Sequence, residues 1–289
     1  MTRTTHAIRC ADGFVLQATL HAEALPAKAL VLLNPATGVT ERIYAAFANH
    51  LTAQGFRVLT YNYRGLQPAV ALAHQVQAGF STWAEQDVEA VTRWAADQHP
   101  ELPLLAIGHS FGGHAIGLCE SSQLLAGAVM ITSQTGCLRF ITPLAERLRV
   151  TALLKVIGPL CARTLGYVPG KKLGIGEDLP GQVMLEWSRW TSLPRYFFDD
   201  PRMNAVARFS RPQMPVLSIG FNDDPWAPAE AIDLICEQLT RCTVQRRQFG
   251  PEHSRGQGIG HLGFFRERHA DTLWPVVTDW LHQQLAEPA

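Results

Sequence analysis

The chain has no surplus charge. Lys plus Arg and Asp plus Glu each number 25 in 289 residues. That balance removes the broad electrostatic attraction on which nucleic-acid binding or docking to an anionic membrane would draw. A long apolar run is also missing: the helical stretch Val150–Ile157 is too short to span a bilayer and is interrupted by Lys155. The opening residues Met1–His6 have no apolar core behind them, so no secretory signal is expected. The six cysteines (Cys10, Cys119, Cys137, Cys161, Cys236 and Cys242) form no close pair. They read as reduced thiols of a cytoplasmic protein, not as a disulfide framework or a metal site. No His/Cys/carboxylate cluster has metalloprotease spacing, and no phosphate-loop or dinucleotide glycine pattern occurs. The expectation is a protein without metal or cofactor whose partner is a small molecule.

What is present is a regular alternation. Residues 7–20 alternate and turn at Asp12-Gly13, which predicts an opening hairpin. A strand at 29–33, a helix near 42–54 ending before Gly55, and a strand at 56–61 follow. Thr82-x-x-Glu85 reads as a capping box for a helix to about residue 98. Strands are expected at 104–109, 126–131, 215–220 and 243–249, with a closing helix near 266–285. Strands alternating with helices mean a mostly parallel central sheet flanked by helices, an α/β class, in one domain spanning 1–289. The rhythm breaks between 138 and 212, which reads as a helical insertion.

The most informative segment is Leu104-Leu105-Ala106-Ile107-Gly108-His109-Ser110-Phe111-Gly112-Gly113. A buried strand ends in Gly-x-Ser-x-Gly and a helix-compatible run follows. Glycines on either side let the chain turn sharply and push the serine hydroxyl clear of the backbone, beside the free N–H groups of a helix start. With this elbow and the Arg64-Gly65 turn after Tyr61-Asn62-Tyr63, the chain resembles the α/β-hydrolase superfamily over nearly its whole length. Asn34-Pro35-Ala36-Thr37-Gly38, Trp187-Ser188-Arg189-Trp190 and Ile259-Gly260-His261-Leu262-Gly263-Phe264-Phe265 are similar to a bacterial branch of predicted hydrolases. That branch is related to serine aminopeptidase-like and esterase or lipase-like members.

The resemblance implies a serine nucleophile followed along the chain by an acid and then a histidine. Candidates for the acid are Asp223 and Asp224, just after the strand at 215–220. Pro228, four positions after Asp224, favours Asp224, whereas the Gly220-to-Asp spacing favours Asp223. Asp199-Asp200-Pro201 follows no sheet strand and reads as a turn. Among eleven histidines, His261 lies in a glycine-flanked loop before the closing helix, with His253 the runner-up. His269 and His282 fall within that expected helix as surface residues, and His109 is read as packing. The expected catalytic set is Ser110, Asp224 and His261.

An oxyanion hole needs preorganised N–H donors. Phe111 supplies one, and Ala36, with Thr37 close behind, supplies the other from the loop after strand 29–33. In this fold an insertion at 138–212 forms a lid, and Trp187, Trp190 and Trp226 are candidate pocket residues. The implied activity is hydrolysis of an ester or thioester through an acyl-enzyme. The alternatives are an acyltransferase on the same intermediate and a non-catalytic binding protein on a hydrolase scaffold; a serine at the elbow argues against dehalogenase and epoxide-hydrolase chemistry.

Overall fold

The structure, a computed structural model, describes residues 2–23, 26–67 and 71–286. Eight strands form one sheet: β1 Thr2–Arg9, β2 Val15–Ala22, β3 Ala29–Asn34, β4 Phe56–Tyr61, β5 Leu104–His109, β6 Gly127–Ile131, β7 Pro215–Phe221 and β8 Thr243–Phe249. Their spatial order is β1-β2-β4-β3-β5-β6-β7-β8. The β1–β2 and β2–β4 pairs are antiparallel, and every pair from β4 to β8 is parallel. β3, β5 and β6 are buried along their full length, as strands covered on both faces must be. The outer strand β8 instead alternates exposed and half-buried residues and carries Arg246 and Arg247, charges that discourage edge-to-edge pairing.

Side chains alternate across the sheet. Leu30, Leu32, Leu59, Ala106 and Met130 face one layer, and Val31, Leu33, Val58, Ile107 and Val129 face the other. The second layer holds α1, Ala45–Ala53, and the closing helix α8, Trp274–Ala286, through Phe47, Leu51, Trp274 and Leu281. The first layer holds α2, Glu89–Gln98, and α3, Phe111–Leu118. Between β6 and β7 come α4 Leu144–Ala152, α5 Gly158–Leu165 and α6 Gly181–Trp190, and α7, Ala229–Cys236, follows β7.

Register decides where the loops emerge. Asn34 pairs with Gly108, Gly108 with Met130, and His109 with Ile131. The carboxyl ends of β3, β5 and β6 therefore lie in one row, the edge at which ligands bind in open parallel sheets. At the same edge, beyond the end of β4, the β1–β2 hairpin turn is pinned: Arg64 binds both Asp12 and the fully buried Asp87, and Gly65 turns with φ +84°.

Three local expectations are corrected. Thr82 is not a cap; the helix is already under way at Phe80, and the Thr82 hydroxyl accepts from the Gly79 N–H. The closing helix starts at Trp274 rather than 266, because Glu267–His269 forms a separate short turn. His269 is accordingly buried, not on the surface, and bonds Ser254.

Candidate active site

Ser110 lies between the last residue of β5 and the first of α3. Its backbone has φ +51° and ψ −115°, a conformation that costs an L-residue energy and persists only where the surroundings enforce it. Two features enforce it here. The Ser110 N–H donates to the Ile131 carbonyl at 2.8 Å, tying the elbow to β6. Gly112 lies so close to the β3 loop that an added Cβ would fall on the Asn34 carbonyl oxygen.

The acidic pair divides its work. Asp224 is buried, and its Oδ2 accepts from His261 Nδ1 at 2.7 Å. Its Oδ1 accepts from the N–H groups of Trp226 and Ala227. Burial pushes the Asp224 carboxyl up, but His261 and these two amides outweigh it and hold the group below its ordinary value. Asp223 faces the other way and accepts from the N–H groups of Ile259 (2.7 Å) and Gly260 (3.1 Å). It thereby holds the backbone that presents His261. With Nδ1 donating to Asp224, neutral His261 keeps Nε2 as its free acceptor. His261 and Ser110 line one cavity of about 310 Å3 together with Thr37. No hydrogen bond joins the Ser110 hydroxyl to His261 in this structure.

The loop after β3 is held residue by residue. Tyr61 Oη donates to Asn34 Oδ1 at 2.8 Å, and Tyr63 Oη donates to the Pro35 carbonyl at 3.0 Å. The Ala36 N–H donates to Tyr44 Oη at 2.8 Å. The Ala36 amide, the expected donor, is thus engaged by Tyr44 in this structure. Thr37 is the next amide in the loop, and neither its N–H nor that of Phe111 has a partner among the described residues. Both residues border the space around Ser110.

A buried relay continues from Tyr44. Its hydroxyl meets His109 Nδ1 at 2.9 Å, and His109 Nε2 meets the His261 carbonyl at 2.8 Å. A carbonyl only accepts, so Nε2 carries the proton and Nδ1 accepts from Tyr44. Burial pushes the His109 pKa down to about 3, which keeps the ring neutral and the direction of every bond defined. The residue read as packing thus connects the β3 loop to the histidine loop.

Of the three expected pocket tryptophans, Trp187 and Trp226 border the cavity beside Ser110. Trp190 does not: it is fully buried, stacks on Phe80 at 5.4 Å and donates from Nε1 to Asp200. Asp200, read as a turn residue, is in fact a buried partner of Trp190 and Arg189. His253 hydrogen-bonds the Gly250 N–H, within its own loop. The tyrosine tethers and the relay carry no motif; nothing in the spacing of Tyr44, Tyr61 and Tyr63 announces them.

Comparison with known proteins agrees with this architecture. A family model described as serine aminopeptidase, S33, matches residues 23–157. A highly thermostable carboxyl esterase from Bacillus coagulans superposes with a TM-score of 0.70 at 12% identity, over 99% of each chain. A soluble variant of monoglyceride lipase from Saccharomyces cerevisiae superposes with a TM-score of 0.72 at 13% identity, over 98% of this chain and 95% of that one. The strand order, elbow and connecting helices are those of the α/β-hydrolase fold. No helix among the described residues is long and apolar enough to cross a membrane.

Proposed function

We propose that this protein is a serine hydrolase that cleaves small-molecule carboxylic esters or thioesters through an acyl-enzyme. Ser110 is the nucleophile, His261 the general base and Asp224 the group that orients it. The observation that carries the reading is the 2.7 Å bond from His261 Nδ1 to buried Asp224, which frees Nε2 in the cavity that also holds Ser110.

The chemistry runs as follows. Nε2 takes the Ser110 proton as Oγ attacks the ester carbonyl. Asp224 stabilises the imidazolium and holds its tautomer. The amides of Phe111 and Thr37 receive the oxyanion, and the α3 N-terminus adds its dipole. Collapse expels the alcohol or thiol, which takes the proton from Nε2. Water, deprotonated by the same nitrogen, then attacks the acyl-enzyme and releases the acid. The insertion acts as the lid: Val150, Leu154 and Trp187 border the space beside Ser110, and the Glu177 N–H donates to the Gly38 carbonyl in the β3 loop.

A fluorophosphonate probe and a series of p-nitrophenyl esters test the proposal together. The wild type should be labelled and turn over ester, and Ser110→Ala should do neither; equal labelling removes Ser110 from the mechanism. Asp224→Asn should lower kcat by a factor on the order of 10⁴ by imposing the wrong tautomer. Asp223→Asn, which touches only the backbone of the histidine loop, should cost far less. The reverse ranking would exchange the two roles.

A further inference from the structure

The neutral total charge hides a local excess. Residues 144–165 form one continuous helical run: α4, a π turn over Leu153–Ile157, and α5, with α-helical backbone at both junctions. This run carries Arg147, Arg149, Lys155 and Arg163 against a single acid, Glu146. Arg149 pairs with Glu146, and Lys155 bonds Ser188 and Ser192. No ion pair joins Arg147 or Arg163 to an acid among the described residues.

The same run is apolar on both sides. Val150 and Leu154 border the space beside Ser110, and Leu153 and Ala162 are buried. Yet six of the eleven large apolar residues left exposed among the described residues also lie on it: Leu144, Leu148, Val156, Ile157, Leu160 and Leu165, each between 41% and 62% exposed. Residues four apart on a helix are neighbours. Leu144, Leu148, the exposed Ala152, Val156 and Leu160 therefore make one ridge along it. A helix apolar all round belongs in a buried setting, and a contiguous exposed apolar patch marks an interaction surface. Arg147 lies three residues from Leu144 and Arg163 three from Leu160, so an unpaired cation flanks each end of the ridge.

We propose that this face of the insertion docks on an anionic lipid surface, with the ridge entering the acyl boundary and Arg147 and Arg163 meeting the headgroup phosphates. An apolar face with cations at its margin is the pattern that binds such surfaces. A second copy of the chain is the poorer occupant, because an isologous contact sets this positive helix against itself. The cavity that holds Ser110 and His261 lies beside the docking face: its border includes Arg149, next in the chain to Leu148, and the partly exposed Leu262. The proposal goes beyond the serine-hydrolase reading and stands without it.

Vesicle sedimentation of the full chain tests this, with bilayers of phosphatidylglycerol and phosphatidylcholine in equal parts beside phosphatidylcholine alone. The mixed vesicles should bind the protein at least about tenfold more strongly than the neutral ones. Raising salt from about 0.1 M to about 1 M should weaken that binding by screening the headgroups. Leu148→Ser with Leu160→Ser should lower binding at least about tenfold, since each leucine loses its apolar burial. Arg147→Glu with Arg163→Glu should abolish the preference for anionic vesicles. None of these four residues borders the space around Ser110, so melting temperature and turnover of a soluble short-chain p-nitrophenyl ester should be unchanged in both variants. Absence of binding to either vesicle overturns the docking face, while ester turnover and Ser110 labelling report on the hydrolase reading separately. Equal binding to neutral vesicles overturns the role of the cations, and full binding by the leucine variant overturns the role of the ridge. Dimers seen by light scattering that the leucine variant dissolves, with no vesicle binding, give the face to a second copy and overturn the proposal.

Discussion

Tyr44 is the residue on which two loops converge. Its oxygen accepts the Ala36 N–H and its proton goes to His109 Nδ1, while His109 holds the His261 carbonyl. Tyr44→Phe keeps the ring that packs edge-on against Phe265 at 4.7 Å and deletes only the hydroxyl. The buried Ala36 amide and His109 Nδ1 are then both unpaired, at a cost of about 1–3 kcal/mol in stability. Since Tyr44 does not line the chambers around Ser110, kcat should fall with KM little changed. Steady-state kinetics beside urea unfolding check this; a stability loss with kcat intact would make the bond purely structural. Sequence reasoning selected Ser110, Asp224 and His261 because each lies in a local pattern of strand, glycine or proline. The same local patterns point to Ala36 as a donor, but they carry no sign that its amide is taken by the hydroxyl of Tyr44, from the helical turn leading into α1.

At the scale of elements, the elbow works because β5 and α3 approach the β3 loop without side chains between them. Gly112→Ala places a methyl on the Asn34 carbonyl oxygen, against backbone that has nowhere to move. The α3 start and the loop bearing Thr37 must separate, which pulls the two proposed oxyanion donors apart. Ester turnover should drop by roughly 10²–10³, the range seen when one such donor is lost, with the circular dichroism spectrum retained. Wild-type turnover in this variant would show that the close approach is not needed. The helix starts at residues 80 and 274 departed from expectation for a common reason. Capping patterns and amphipathic spacing report what a segment tolerates, whereas the packing of Phe80 on Phe111 and of Trp274 on Phe47 decides where the helix begins.

Across the whole molecule, burial pushes down the pKa of four buried histidines, His21, His109, His114 and His269. Burial lowers His21 and His114 to about 4 and His109 to about 3, against about 6.5 when unfolded. Below pH 6.5 the unfolded chain binds protons that the folded one refuses, so stability is full above that pH and lost as pH falls toward the folded values. Asp87, raised by burial to about 6, acts in the opposite sense. The net expectation, with the histidines outnumbering Asp87, is lower stability at pH 5 than at pH 7. Urea midpoints at the two pH values measure it; a midpoint unchanged at pH 5 would contradict neutral burial. By itself the sequence determined the α/β alternation, the elbow and the order of serine, acid and histidine, because periodicity and glycine placement act between near neighbours in the chain. Tertiary structure alone decided which amides are free, that Asp223 holds the loop while Asp224 holds the ring, and that Trp190 is core. Those outcomes depend on hydrogen bonds between residues as far apart as His109 and His261, 152 positions along the chain, where no local pattern reaches.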